Sequence, residues 1–458
     1  MPSRAPESYP LESLCPVCLR RIPARHERTG ADVHLCKTCP EHGEFRTITW
    51  RGGPDMADWQ REKLPSRPEA PATGQDRGCP FDCGLCPEHN QHTCTAVVDV
   101  TARCNLRCPI CFASAGPGPA PQADPSIQQV EAMLRSVLAA SGTCNLQFSG
   151  GEPTVRDDLP ELVALAKGLG FPFVQINTNG LRLGADPEYV AALAEAGLDS
   201  AFFQFDGPDD AILLRLRGAP LLRVKLDALD ALAGAGVGVV LVPTVVPGVN
   251  DHALGDIVRL AASRAPHVRG VHFQPISYFG RYDAPPRDED RITLPELMRG
   301  LEAQTRGMLR AGDFLPPGCE HSLCSFHANY VVNEDLSLRR ISSPRSCCDS
   351  SPIQAAEGAD KAKAFVSAQW AAPAPRPLGD LRAGENEEKK DDLDRFLERA
   401  ATHRFAISAM GFQDAWTLNL DRLRGCCIHA VAPDGRLVPF CAYNLTAQDG
   451  TTLYRKPR

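Results

Sequence analysis

Two rhythms of apolar and polar positions run through the middle of the chain. Short apolar runs predict β-strands at 96–101 (AVVDVT), 144–149 (CNLQFS), 172–178 (PFVQINT), 198–205 (LDSAFFQF), 237–245 (VGVVLVPTV) and 268–275 (VRGVHFQP). Stretches with apolar residues at helical spacing fall between them, at 125–140, 158–169, 187–196, 221–235 and 251–264. Asp124 followed by Pro125 reads as the N-cap and first residue of the first of these helices. Strands alternating with helices imply βαβ units and a parallel sheet. Six such units between residues 96 and 312 suit an α/β fold with an open, partial (βα)6 barrel, because a closed eightfold barrel takes about 250 residues.

The flanks lack this regularity. Residues 1–51 carry two CxxC pairs, and residues 52–95 begin with the composition of a linker, with Pro54, Pro65, Pro68 and Pro71 among charges and glycines. Residues 313–458 are expected to be an irregular region. Within it, 350–384 is rich in Ala, Pro and Gly, and 385–399 (ENEEKKDDLDRFLER) is a charge run expected to be a solvated helix or connector. Near the end, HAVAPDGRLVPFCAY predicts a hairpin with Asp434-Gly435 at its turn.

Composition narrows the chemistry. The chain has 458 residues, a net charge of −7, 43% hydrophobic and 23% charged residues. A mild acidic balance excludes a sequence-independent grip on nucleic acid, which needs a basic face. No apolar run reaches the 18 or so residues of a membrane span, and the opening MPSRAPESYP lacks a signal-peptide core. The expectation is a cytoplasmic protein whose membrane contact, if any, is peripheral.

There are 19 cysteines, and they cluster. In a reducing compartment clustered cysteines ligate metal or do redox chemistry. Cys15, Cys18, Cys36 and Cys39 form two knuckles, a four-thiolate set for one mononuclear Fe or Zn. Cys104, Cys108 and Cys111 follow the first barrel strand. Three thiolates on one loop can hold a [4Fe–4S] cube with one iron left open to a small molecule. Cys79, Cys83 and Cys86 repeat that spacing, but Cys94 follows close behind, so this set reads as a closed auxiliary cube. Cys144 starts an inner strand and reads as a buried small hydrophobe.

The triplet ahead of Ser149-Gly150-Gly151-Glu152-Pro153 resembles the radical S-adenosylmethionine (SAM) superfamily across 96–280. The resemblance implies that Cys104, Cys108 and Cys111 hold the SAM-binding cluster, with Phe112 behind them. It implies that Gly150, Gly151 and Glu152 bind the methionine ammonium, the glycines by letting backbone approach the ligand. Asn177, Thr178 and Asn179 would face the ribose or carboxylate, as would Gln204 and Asp206, and Pro275 would lie near the adenine. GCPFDCGLCPEHNQHTC running into VVDVTARCNLRCPICFA, the N-terminal knuckles, GCEHSLC (318–324) and DGRLVPFCAYN (434–444) are similar to tetraether lipid synthase and its relatives. These relatives include archaeal proteins linked to methylation of a pterin. That narrower resemblance implies three [4Fe–4S] clusters, one SAM-binding and two auxiliary, plus a rubredoxin-like metal. Cys319, Cys324, Cys426 and Cys441 are assigned to the C-terminal cluster, with Cys347, Cys348 and Cys427 as substitutes.

The leading functional reading is a radical SAM enzyme that forms C–C bonds at unactivated carbons by coupling lipid alkyl chains. It would need a reductant such as ferredoxin or flavodoxin and a lipid or small-molecule substrate. Methyl or methylene transfer to a pterin or other small molecule is the alternative, followed by peptide maturation. A non-enzymatic iron–sulfur electron carrier is the reading from another class; the GGEP segment counts against it, because a carrier needs no SAM pocket.

Overall fold

The computed structural model describes residues 10–118, 123–342, 352–373 and 392–455. An N-terminal antiparallel sheet is built from β1 (Pro10–Leu14), β2 (Arg21–Thr29), β3 (Asp32–Cys39) and β4 (Gly43–Trp50), in that order. The 17 residues between the two cysteine pairs fold back as a hairpin, with Gly30 at φ +64° in its turn. This sheet is docked on the rest of the chain. Buried Lys37 donates to the Ala415 carbonyl at 2.7 Å, Ser13 to the Leu418 carbonyl at 2.6 Å, and Arg51 pairs with Glu296 at 2.6 Å.

The segment read as a linker is pinned in place. Trp59 is buried and its indole N–H donates to the Ser322 carbonyl at 2.9 Å. Just after it, β5 (Lys63–Leu64) pairs in parallel with β15 (Ile353–Gln354).

The barrel strands fall within about two residues of the expected positions: β6 (Thr95–Thr101), β7 (Asn145–Gly150), β8 (Val174–Thr178), β9 (Ser200–Gln204), β10 (Gly238–Val242) with the short β11 (Thr244–Val245), and β12 (Val268–Pro275). They are parallel neighbours in that order. Helices cover the outer face. Val130, Leu134 and Val137 of the helix Ile127–Ser141 and Leu162 and Val163 of the helix Leu159–Gly168 join Leu146 and Phe148 in one buried core. Each such fully buried side chain contributes about 1.5–3 kcal/mol. The first helix begins at Ser126 rather than Asp124. Ser126 and Gln129 form a reciprocal capping box, while Asp124 is taken by Arg103 and Thr101.

The C-terminal region is more regular than expected. β13 (Ser325–Val332), β14 (Leu338–Arg340) and β16 (Arg404–Met410) extend the sheet beyond β12, and β17 (Ile428–Val431) with β18 (Leu437–Pro439) extends it beyond β6. β16 and β17 run parallel to β12 and β6, so the parallel array gains a strand at each edge. The predicted hairpin is β17–β18, with Gly435 at φ +85°. Part of the Ala/Gly-rich stretch is a helix, Ala355–Trp370. It crosses the N-terminal ends of the barrel strands. Its Lys363 carbonyl accepts from Asn145 at 3.3 Å, its Gln369 carbonyl from Arg269 at 2.8 Å, and its Trp370 carbonyl abuts Gly238, where a Cβ would come within 2.2 Å.

Candidate active site and metal centres

Cys104, Cys108 and Cys111 stand on the loop leaving β6, each partly exposed toward one cavity. The loop is clamped from the segment after β12. The Arg281 guanidinium donates to the Cys108 carbonyl at 2.8 and 3.0 Å and to the Ala115 carbonyl at 2.9 Å, while Arg281 and Cys111 exchange backbone bonds of 3.0 Å each. Burial, with Glu152, Cys108 and Cys111 nearby, pushes the Cys104 thiol up to about 12. A cation is what draws such a thiol into the thiolate form that ligates metal.

The two glycines press on the backbone of the triplet loop, and Gly151 also lines the cavity. Gly150 has φ +125° and lies off the cavity, and a Cβ there would meet the Thr101 carbonyl at 2.2 Å. A Cβ on Gly151 would meet the Arg103 carbonyl at 2.0 Å. The Gly151 N–H donates to the Thr101 carbonyl and the Glu152 N–H to the Arg103 carbonyl, both at 2.8 Å. The missing side chains therefore let this segment press on the backbone that carries Cys104.

Glu152 is buried and knits the strand ends together. Its carboxylate accepts from Thr154 (N at 3.1 Å, Oγ1 at 2.7 Å), from Thr178 Oγ1 at 2.7 Å and from the Asn179 N–H at 2.7 Å. Burial raises its pKa, and these bonds oppose the rise. Asn179 reaches the triplet loop through Asn105 at 2.7 Å, and Asn177 contacts Ser149 at 3.4 Å. Gln204, Pro275 and Phe112 line the cavity as expected, but Asp206 does not. Asp206 is wholly buried beneath Arg217, which grips it with two 2.7 Å bonds, so Arg217 rather than Asp206 reaches the cavity wall. Lys225, also wholly buried, donates to the Asn179 carbonyl at 2.8 Å and to the Gln204 carbonyl at 2.7 Å. Burial pulls its pKa down to about 8.

The cavity, about 510 Å³, runs from the triplet down the barrel to the helix Ala355–Trp370. Alternate residues of the strands point into it: Asn145, Gln147 and Ser149 of β7, Gln175 and Asn177 of β8, His272 and Gln274 of β12. Phe202, His272 and Trp370 pack there with ring centroids 5.4–6.0 Å apart. His272 meets Ser408 at 2.8 Å, and burial holds its pKa down to about 4. Asn145, Gln147 and Asn329 line these walls, while Asn145 Oδ1, Gln147 Nε2 and Asn329 Oδ1 themselves are shut off from the open space and have no hydrogen-bond partner among the described residues. Asn145, Gln147, Gln175, Gln274, Asn329, Arg217 and Lys225 were not among the sequence candidates, whereas Asn177 was. The polar alternation within otherwise apolar strands was the available signal.

The remaining cysteines regroup. In the N-terminal sheet Cys15, Cys18 and Cys39 converge with His42, not with Cys36, and the Cys39 sulfur lies 3.4 Å from His42 Nδ1. Cys36 lies within β3, three residues from Cys39, so the two side chains leave opposite faces of the strand; Cys36 faces Glu27 instead. The signal was Cys39-Pro-Glu-His42, a tetrapeptide repeated at Cys86–His89. Cys94 is not with Cys79, Cys83 and Cys86. It meets Cys319 and Cys427, the three sulfurs within 4.8 Å of one another. Cys79, Cys83 and Cys86 line a small separate pocket with His89. Cys324, Cys426 and Cys441 are mutual electrostatic neighbours, so the expected set of Cys319, Cys324, Cys426 and Cys441 loses Cys319. Cys347 and Cys348 lie outside the described residues, and Cys144 is buried.

The chain is similar to several known proteins. A family model described as the radical SAM superfamily matches residues 98–261, and one described as the HMPTM N-terminal zinc ribbon domain matches residues 9–51. The chain is 36% identical to 7,8-dihydro-6-hydroxymethylpterin dimethyltransferase of Methanocaldococcus jannaschii, over 94% of this chain and 92% of that one. It is 31% identical to the mitochondrial GTP 3',8-cyclase of Arabidopsis thaliana, over 39% of this chain and 45% of that one. Among solved structures, Streptococcus suis SuiB bound to S-adenosylmethionine aligns with a TM-score of 0.37 and 17% identity over 47% of each chain.

Proposed function

The chain belongs to the radical SAM superfamily, in the family of the pterin dimethyltransferase, and we propose that it transfers methyl groups to a pterin-class heterocycle. Cys104, Cys108 and Cys111 would hold the cluster, and the donor set suits it: three thiols converge on one end of a cavity, beside a buried carboxylate and the guanidinium of Arg217. When bound, cluster and SAM supply a carbon radical that takes a hydrogen atom from an unactivated C–H bond. The chain's own residues set the geometry. Arg281 holds the triplet loop, Glu152 locks the ends of β7 and β8, and Lys225 fixes Gln204 and Asn179. The Ala355–Trp370 helix lines the cavity floor.

One observation carries the choice of substrate: the inward row of polar side chains, Asn145, Gln147, Ser149, Gln175, Asn177 and Gln274, along the cavity wall. An alkyl chain laid against them pairs with none, at about 1–3 kcal/mol for each buried group left unpaired. A flat heterocycle with ring donors and acceptors pairs with such side chains and stacks on Phe202 and Trp370. This order reverses the sequence-based expectation, which put lipid coupling first.

The test is an anaerobic incubation of the iron-loaded protein with a reductant, 7,8-dihydro-6-hydroxymethylpterin and excess methyl-labelled SAM, one molecule serving as radical source and another as methyl donor that leaves as S-adenosylhomocysteine, read by mass spectrometry. Gain of one or two methyl groups on the pterin is expected. Formation of 5′-deoxyadenosine with the pterin unchanged, and a lipid or peptide modified in its place, would overturn the reading.

A further inference from the structure

Three neighbouring strands carry a polar row across the cavity wall. His272 of β12 pairs with Ser408 of β16, and Ser408 pairs on its other side with His327 of β13. All three side chains line the cavity. Filled barrels put branched apolar residues at such inward positions. The backbone sets the row: β12 and β16 pack so tightly at Gly270 that a Cβ there would come within 2.1 Å of the Ala406 carbonyl, two residues ahead of the His272–Ser408 pair.

The row offers more hydrogen bonds than it makes. His272 Nδ1 meets Ser408 Oγ at 2.8 Å, and the Ser408 hydroxyl has no other acceptor among the described residues. The hydroxyl therefore donates to Nδ1, and the ring hydrogen sits on Nε2. Nε2 has no described partner, yet it is not one of the atoms sealed from the open space; the same holds for both ring nitrogens of His327. Burial lowers the pKa of each histidine, and no charged side chain contributes. Both are thus uncharged imidazoles at neutral pH, with one donor and one acceptor nitrogen apiece. Flat apolar faces stand beside them, with the His272 ring centroid 5.4 Å from that of Phe202 and 6.0 Å from that of Trp370.

We infer that His272 and His327 are specificity-determining residues that hydrogen-bond the edge of an uncharged, flat heterocycle, His272 donating from Nε2 to a ring nitrogen or carbonyl oxygen. An anion finds no charge in this row to pair with, and an alkyl chain leaves both imidazoles unpaired. Held so, the ring stacks on Trp370. Gln274, two residues on from His272 along the same face of β12, stands between it and the triplet end of the cavity. This inference rests on the proposed function for the identity of the heterocycle.

The test measures binding of 7,8-dihydro-6-hydroxymethylpterin to the full-length, iron-loaded protein by anaerobic equilibrium dialysis, with SAM present and no reductant, so that nothing turns over. His272→Phe keeps a ring for stacking and removes the nitrogens; it should raise the dissociation constant about tenfold, as loss of a buried hydrogen bond does. His272→Gln keeps a donor and should stay within about threefold of the parent. His327→Phe should also raise the constant about tenfold, which keeps the test sound if the His272 variants fold poorly. SAM affinity and iron content should be unchanged in all three. A parent that binds no pterin overturns the proposed function and the inference together. A folded phenylalanine variant that binds pterin as tightly as the parent overturns the inference alone. So does a His272→Gln protein as weak as His272→Phe, since packing would then account for the loss.

Discussion

Gly151→Ala is the sharpest single test of how the barrel supports its cluster. The added Cβ would lie 2.0 Å from the Arg103 carbonyl oxygen and 2.7 Å from its carbon. Ordinary carbon–oxygen contacts are about 3.3 Å or more, so the backbone of Arg103 must retreat by ~1.3 Å. Nothing flexible can absorb this, because the atoms met are main chain. The retreat breaks the 2.8 Å bonds from Gly151 to Thr101 and from Glu152 to Arg103. Overpacking costs about 1–3 kcal/mol and each lost bond about 1 kcal/mol, so the local penalty is about 3–5 kcal/mol. It falls on the residue next to Cys104. The expected outcome is loss of about four irons per chain, loss of SAM cleavage and retention of the N-terminal metal. Gly168→Ala is the control, since nothing lies within 4 Å of a Cβ there. A Gly151→Ala protein with full iron and unchanged 5′-deoxyadenosine formation would refute the reasoning.

Three further outcomes are expected. His42→Ala should empty the N-terminal metal site while Cys36→Ser leaves it filled, as measured by metal analysis of each purified variant; the reverse pattern would restore the four-thiolate set. Arg281→Met removes the charged donor to the Cys108 and Ala115 carbonyls, at about 1.5–3 kcal/mol per bond, and should lower cluster occupancy at the triplet without moving the iron held elsewhere. His272 is held near 4 by burial against about 6.5 unfolded, so its contribution to stability is fully present above 6.5 and lost as pH falls toward 4. That contribution is on the order of 3 kcal/mol, and the melting temperature of His272→Gln should therefore depend less on pH between about 7 and about 5 than that of the parent; equal slopes would show that His272 does not titrate as described.

The barrel was legible because its signals are local. Each of β6 to β12 is a short apolar run, and the helices between them carry their own periodicity. The capping error at Asp124 shows the limit of such signals. Asp124-Pro125 has cap composition, yet the carboxylate was worth more against Arg103 and Thr101, and Ser126 with Gln129 caps one turn on. The C-terminal strands are legible only as runs, not as partners. Nothing local in RFAISAM says that it pairs with β12 on one side and β13 on the other. The helix Ala355–Trp370 was read as irregular because it is rich in small residues. Those same residues, Ala355, Gly358 and Ala359, are its buried face, and their size is what lets it press on the Gly318–Cys319 backbone.

The site divides the same way. The Cys104 triplet and the glycine-glycine-glutamate segment are contiguous motifs, and their order after a strand tells this triplet from Cys79, Cys83 and Cys86, which share its spacing. Grouping the other thiols depends on where strands run. A two-residue gap between cysteines makes a knuckle in a turn, as at Cys15 and Cys18, but within a strand it sends Cys36 and Cys39 to opposite faces. Cys94, Cys319 and Cys427 come from segments over two hundred and one hundred residues apart, and only the sheet brings them together. The cavity, by contrast, was written in the sequence. Parallel barrels that are filled carry branched apolar residues inside. Here Asn145, Gln147, Gln175, Asn177, His272 and Gln274 occupy the inward positions of three strands. A barrel cannot bury that many amides on a dry axis without about 1–3 kcal/mol for each unpaired group, so the interior must be hollow and its occupant must carry donors and acceptors of its own.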